Sequence, residues 1–464
     1  MICSGKRDTI TDRRKDMKVT QYSTNKYGNA VPFELREALY MGGSFTAKAT
    51  QSPANSGFLG FGVAITGSSC YNLARMEKQA RRELIESIYG KNGLGLSVAR
   101  LSIGSSDYSA ELYTYDDVEG DERLEHFSVA RDEEYIIPMI KEILEVNPEL
   151  YIYASPWSPP GWMKTGGSAC GGHMRERFVE VYADYFVKYI KAYAEHGITV
   201  RAVTPQNEPE TQQFGYMPAC IWNPDTEAAF VSALRKRLNA NGLSNVEIWI
   251  NDHSFAYCDK VDWQLSQYPA LKGESGGVAF HYYDGNIEQT EYLINKYGVR
   301  LHFTEGGPRL YDHYDNDWCK WGIMMCKVLN SRYLSFTGWN LMLDETGGPN
   351  VGPFFCGGLV TRNRLTGELS YSGQYKAFEH FTKFISRESR ISPISFEKNG
   401  YGMFSYPKDQ KPLVGTLVEN PDSSAALMLI NPNSDKAQVQ YFYAGKWWYI
   451  ELLPDTLATV CFEK

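Results

Sequence analysis

Two glutamates stand where the chain could do chemistry. The runs Thr204-Pro205-Gln206-Asn207-Glu208-Pro209 and His302-Phe303-Thr304-Glu305-Gly306-Gly307 each put a carboxylate at the end of a short apolar segment, beside residues that stop a strand. Two carboxylates delivered from two strand ends into one cleft suit cleavage of a glycosidic bond. One protonates the leaving oxygen; the other attacks, or activates water at, the sugar carbon. Either glutamate alone reads as a solvated loop carboxylate, and Asn-Glu-Pro alone is a moderate signal. The second run, three strand–helix units further on, makes catalysis the expectation. Asn207 adds an amide suited to a sugar hydroxyl near the reacting carbon, a contact that tightens as the oxocarbenium-like state forms.

The elements that must present these residues are legible as periodicity. Eight short apolar runs, at 58–65, 97–103, 150–157, 200–205, 246–251, 278–283, 299–304 and 335–341, alternate with segments of helical spacing. The clearest helix carries Phe178, Val181, Tyr182, Tyr185, Phe186, Tyr189, Ile190 and Tyr193 along one face. Another spans 72–89, with Leu73, Met76, Leu84, Ile85 and Ile88 on its apolar side. Eight βα units over this span predict a closed parallel (β/α)8 barrel, whose strand C-termini hold the chemistry. By that count Glu208 follows strand four and Glu305 ends strand seven. After the helix-like stretch 374–385 come short alternating runs at 402–406, 425–430, 439–443, 447–452 and 456–462, divided by Asn, Pro, Gly and Asp turns. They predict a small antiparallel sandwich. Strand-like runs in 18–47 suggest that the N-terminal part completes it. The expected organisation is a flexible extension at 1–16, N-terminal strands of the sandwich at 17–56, the catalytic barrel at 57–385 and the rest of the sandwich at 386–464.

Composition bounds the partners. The formal charge of −8 over 464 residues disfavours nucleic acid, whose binders concentrate Lys and Arg. No apolar run is long enough to span a membrane. Aromatics reach 14%, more than core packing alone requires, and suit a cleft that stacks sugar rings. Nine cysteines are scattered without a CxxC pair, which fits reduced thiols. With no secretory signal visible, the expected location is cytoplasmic. His173 near Cys170 is too isolated for a metal site, so neither a metal nor a cofactor is expected. His281 reads as a satisfied structural histidine.

Seven motifs occur in order: GFGVAITGSS (60–69), VARLSIGSSDYS (98–109), YASPWSPPGWMKT (153–165), VTPQNEPE (203–210), AFHYYDG (279–285), HFTEGG (302–307) and GWNLMLDETGGPN (338–350). In these the chain resembles glycoside hydrolase family 30, in particular its glucosylceramidase-like branch, from about residue 57 to the C-terminus. The resemblance implies a (β/α)8 TIM barrel with a β-sandwich side domain formed by both chain ends, and hydrolysis of a carbohydrate or glycoside with retention. It implies Glu208 as acid/base, Glu305 as nucleophile and Asn207 on the sugar 2-hydroxyl. It further implies Asp107, Trp157 and Trp339 lining the first sugar site, Tyr283 and Arg100 beside the nucleophile, and Asn350 at the rim. Glu208 is then expected to rest protonated and Glu305 ionised. The β-glucosidic bond is the expected substrate. β-1,6-Glucan, β-xylosides and β-fucosides are the alternatives within the chemistry, and a carbohydrate-binding protein without turnover is the alternative outside it.

Two positions depart from the family pattern. Thr66-Gly67 replaces a frequent Thr-Asp after the first strand. Tyr282 stands where the glucosylceramidase branch tends to have Trp, which predicts a different aglycone side and favours a soluble glucoside or oligosaccharide over a glycolipid.

Overall fold

The eight βα runs close on themselves. A computed structural model, describing residues 17–37, 44–50, 57–211, 217–399 and 410–463, contains a closed barrel of parallel strands. We label these β1 (Gly60–Ala64), β2 (Val98–Ser102), β3 (Tyr151–Ser155), β4 (Val200–Val203), β5 (Glu247–Ser254), β6 (Gly277–His281), β7 (Leu301–Glu305) and β8 (Ser335–Gly338). Closure is made by β8 pairing with β1, where Phe336 sits opposite Phe61. Helices cover the outside with the faces their spacing predicts. In Val179–Glu195 the buried stripe includes Tyr182, Tyr185, Phe186, Tyr189, Ile190 and Tyr193. The segment read as one helix at 72–89 is two, Gly67–Ala74 and Lys78–Tyr89. The second starts afresh because the Glu77 carboxylate accepts from the Gln79 and Ala80 amides, which caps it.

The barrel interior is filled in layers by side chains from alternate strands. Tyr153 of β3, Trp249 of β5 and His302 of β7 form the lower layer, with the His302 ring stacked on Trp249 at 3.7 Å. Two residues further along, where the pleat returns to the same face, come Ser155 of β3 and Thr304 of β7. Strict alternation from Trp249 would send Asn251 inward as well. Instead β5 bulges: its register shifts between Asn251 and His253, and Asn251 and Asp252 adopt φ of 75° and 46°. The bulge turns Asp252 to the axis. Buried Glu227 secures it, accepting from the Asn251 amide at 3.0 Å while ion-paired to Lys260 at 2.9 Å.

Both chain ends build the second unit. Lys18–Asn25 pairs with Thr456–Glu463, and Phe45–Ala49 with Arg390–Lys398, in a nine-stranded arrangement. The strand Arg390–Lys398 gives its first half to one layer and its second half to the other. Val19, Phe45, Leu427, Val439, Trp448 and Phe462 meet between the layers. The strands Arg390–Lys398 and Val414–Glu419 carried too little alternation to be expected. The run expected at 402–406, like the extension at 1–16, lies outside the described residues. A three-stranded sheet of Met342–Asp344, Val360–Arg362 and Leu369–Tyr371 follows β8. Among the described residues no helix is long and apolar enough to cross a membrane.

Candidate active site

The site is assembled on Asp252, a residue the sequence did not single out. Its buried carboxylate takes five hydrogen bonds. Oδ2 accepts from Arg100 Nη2 (2.8 Å), Ser155 Oγ (2.8 Å) and Thr204 Oγ1 (2.7 Å). Oδ1 accepts from Thr304 Oγ1 (2.7 Å) and faces His281 Nε2 at 3.0 Å. So many donors overcome the burial penalty and hold its pKa far below the usual carboxylate range. Only an unexpected bulge put it here, which is why no motif announced it.

Above Asp252 sit the two glutamates. Glu305 is the last residue of β7; its Oε2 accepts from Arg100 Nη1 and its Oε1 from the Tyr283 hydroxyl at 2.8 Å. Glu208 leaves the loop after β4 with φ 47°, its amide bonded to the Asp252 carbonyl. Its Oε1 faces His281 Nδ1 at 3.1 Å. One carboxylate oxygen from each glutamate and a ring nitrogen of His281 all lie within 4.8 Å of one another. Such a trio has metal-ligand spacing. Both nitrogens of His281 already face carboxylates, however, and Glu305 accepts from Arg100 and Tyr283, so these groups are engaged with one another.

A cavity of about 300 Å³ opens over the pair. Asp107, Trp157, Asn207, Glu208, Tyr283, Glu305 and Trp339 all line it. Trp157 and Trp339 lie face to face, centroids 5.2 Å apart, with the Arg100 guanidinium 4.9 and 5.5 Å from their rings. Asn207 spends its carbonyl oxygen on Arg100 (2.8 Å), which leaves the amide N–H groups for a ligand. Asp107 is buried, and its Oδ1 has no hydrogen-bond partner within the protein. Burial, then the charges of Glu305 and Glu208, push its pKa well up. Arg309, Tyr311, Pro353, Phe354 and Phe355 make the outer wall.

Arg100 stands beside Glu305, as expected, but does not line the cavity; its donors go to Glu305, Asp252, Asn207 and Ser155. Asn350 does not line it either, because its amide is committed to the carbonyls of Gly347 (2.8 Å) and Phe354. It shapes the loop that carries Phe354 and Phe355. Tyr282, expected to alter the aglycone side, packs outward on Trp321 at 5.3 Å and is not part of the wall. At the other departure, Thr66 caps the helix Gly67–Ala74, and a Cβ on Gly67 would crowd Ser109 Oγ at 3.1 Å.

The electrostatics reverse one expectation. Burial would raise the Glu208 pKa, but the His281 hydrogen bond and charge, with His253 and Arg100, pull it below the usual range. For Glu305, burial and the Glu208 charge outweigh His281, Arg100 and Tyr283, and its pKa is raised. His281 acts on both carboxyls, lowering each, and outweighs burial only at Glu208. Burial opposes the charge of His281 itself, yet Glu305, Asp252 and Glu208 together push its pKa up to about 9. The imidazole that reads from the sequence as structural stands 3.1 Å from Glu208 Oε1 and 3.9 Å from Glu305 Oε2.

Family comparison agrees with this geometry. The model of the glycosyl hydrolase family 30 TIM-barrel domain matches residues 58–385. The chain belongs to this family. It is a glycoside hydrolase. Putative glucosylceramidase 3 of Caenorhabditis elegans is 33% identical over 353 residues, 71% of this chain and 67% of that protein. Lysosomal acid glucosylceramidase of Mus musculus is 26% identical, covering 81% of this chain and 75% of its own. A solved endo-β1,6-glucanase is 26% identical with a TM-score of 0.82, covering 96% and 99% of the two chains. SrfJ from Salmonella typhimurium is 25% identical with a TM-score of 0.84, covering 97% and 100%.

Proposed function

We propose that this family 30 hydrolase is a retaining β-glucosidase that removes one terminal glucose from an apolar or aromatic leaving group. The observation that carries this reading is the approach of Glu208 and Glu305 to within 4.8 Å across one cavity. That limit is for one oxygen of each glutamate. So close an approach supports the carboxyl-group spacing of about 5–5.5 Å in retaining pairs over the spacing of about 6.5–9.5 Å that leaves room for a water in inverting ones. In the first step a Glu305 oxygen attacks the anomeric carbon, the glycosidic C–O bond breaks, and the leaving oxygen takes a proton from the Glu208 side. Water then attacks the glycosyl ester, gives its proton back to that side, and frees the Glu305 carboxylate. Asn207 and Asp107 bind hydroxyls of the sugar, and the Trp157–Trp339 wall borders its ring.

The cavity volume of about 300 Å³ stands at the small end of the ligand pockets, about 300–1,000 Å³. That supports action on a chain end rather than along a polymer. Exposed Tyr311 (67%), Phe354 (42%) and Phe355 (63%) at the mouth support an apolar leaving group. This brings a glycolipid of the kind named for the glucosylceramidase relatives back among the candidates, since Tyr282 does not face the pocket. A reducing compartment is part of the proposal: the eight described cysteines are free thiols, seven of them buried.

The test is trapping with 2-deoxy-2-fluoro-β-glucosyl fluoride followed by peptide mapping. The label is expected on Glu305. A label on another residue, or undiminished turnover in its presence, would refute the assignment.

A further inference from the structure

His281 is buried and touches three carboxylates, and the two-step displacement above does not use it. Nε2 stands 3.0 Å from Asp252 Oδ1, Nδ1 stands 3.1 Å from Glu208 Oε1, and Nδ1 is 3.9 Å from Glu305 Oε2. Asp252 is held by four further donors from β2, β3, β7 and the residue after β4. It is an acceptor that cannot turn away, so Nε2 carries a hydrogen toward it. The Nδ1···Oε1 bond then needs one more proton, which rests on the imidazole or on the glutamate.

We propose that His281, clamped by Asp252, shares the acid/base proton with Glu208 and acts as a positioning residue that couples this proton to the charge of Glu305. The inference rests on the roles given above to Glu208 and Glu305. The groups facing His281 are Asp252 and His253 from β5, Glu208 after β4, Glu305 from β7 and Tyr283 beyond β6. Arg100 from β2 holds Asp252 and Glu305, and Asp107 lines the same cavity. In the resting enzyme Glu305 is one of the anions that hold the proton on the couple. When Glu305 bonds to the sugar, the couple gives its proton to the leaving oxygen. The ester carries no charge, so the couple stays deprotonated and ready as base. Attack by water breaks the ester, its proton returns to the Glu208–His281 bond, and Glu305 is again an anion. Every proton and bond is accounted for within the cycle.

The direct test needs no substitution at the site. The full chain labelled with ¹⁵N-histidine should show one imidazole protonated on both nitrogens up to about pH 9. Trapping Glu305 with the fluoroglucosyl fluoride should turn that imidazole neutral at pH 7, and His281→Gln should delete the signal. An imidazolium that survives trapping, or a histidine that is neutral in the free enzyme, overturns the relay. If peptide mapping places no trapped ester on Glu305, the underlying assignment falls and the relay with it, a result told apart by the mapping alone. In kinetics, His281→Gln and Asp252→Asn should move the alkaline limb of kcat/KM down by about one pH unit. They should also slow phenyl glucoside about tenfold more than dinitrophenyl glucoside, whose leaving group needs no proton. Equal losses on both substrates with an unmoved profile would mean a purely structural histidine and overturn the proposal.

Discussion

Arg100 and Asp252 form a buried ion pair, Nη2 to Oδ2 at 2.8 Å, and the same guanidinium reaches Glu305 and Asn207 with its other donors. One planar fork therefore sets the spacing of the candidate nucleophile and of the amide beside the candidate acid, from below the sugar site. A guanidinium suits this because its donors are fixed in one plane and it never deprotonates.

Removing that cation should be costly. Arg100→Met leaves Asp252 and Glu305 buried without it, and breaking a buried pair costs about 3–5 kcal/mol. Urea denaturation should show this loss. Arg100→Lys should recover part of the stability and little activity, since an ammonium cannot hold three partners in a plane.

Glu208→Ala should lose about 10²–10⁴ in kcat on phenyl glucoside, the range for general acid catalysis. On dinitrophenyl glucoside the glycosyl ester should accumulate, and azide should restore turnover by attacking it. The product identifies the stereochemistry. β-Glucosyl azide is expected; the α-anomer would show that the enzyme inverts.

The exposed aromatic rim gives a specificity prediction. Tyr311→Ala or Phe355→Ala should raise KM for octyl or aryl glucosides about fivefold, close to 1 kcal/mol of lost apolar contact. Methyl glucoside, too short to reach the rim, should keep its KM. A uniform rise for all three substrates would place the leaving group elsewhere.

A pH prediction concerns the joint between barrel and sandwich. His380, in the helix Gly373–Phe381, is buried with Nε2 2.9 Å from Thr24 Oγ1 and Nδ1 3.0 Å from Thr459 Oγ1, both on sandwich strands. Burial lowers its pKa to about 4. The folded state thus binds this proton less readily than the unfolded chain, where the value is about 6.5. Its contribution to stability is full above pH ~6.5 and is lost as pH falls toward ~4, by up to about 1.4 kcal/mol per unit. His380→Gln should flatten that acid limb in thermal melts taken across this window.

Much of this was readable before any coordinates. The strand–helix alternation, the tyrosine stripe of Val179–Glu195 and the two glutamate runs are local patterns. Local patterns follow from the 2.0 and 3.6 periods of side-chain direction. Trp157, Trp339, Asn207, Asp107 and Tyr283 came from ordered motifs, and all five line the cavity. Asn350, expected at the rim, does not itself line the cavity, and the motif could not show that its amide is consumed by the loop's own carbonyls.

By itself, then, the amino-acid order determined the succession of strands and helices, the barrel count and the two carboxylates. Only the tertiary structure decided what lies beneath them. Asp252 reaches the axis because β5 bulges by one residue, and a bulge is a pairing event between strands, invisible along one strand. The direction in which each glutamate's proton affinity shifts was decided the same way. Proton affinity depends on charges gathered from β2, β5, β6 and β7 into a few ångströms of low dielectric, and sequence distance carries no information about that sum.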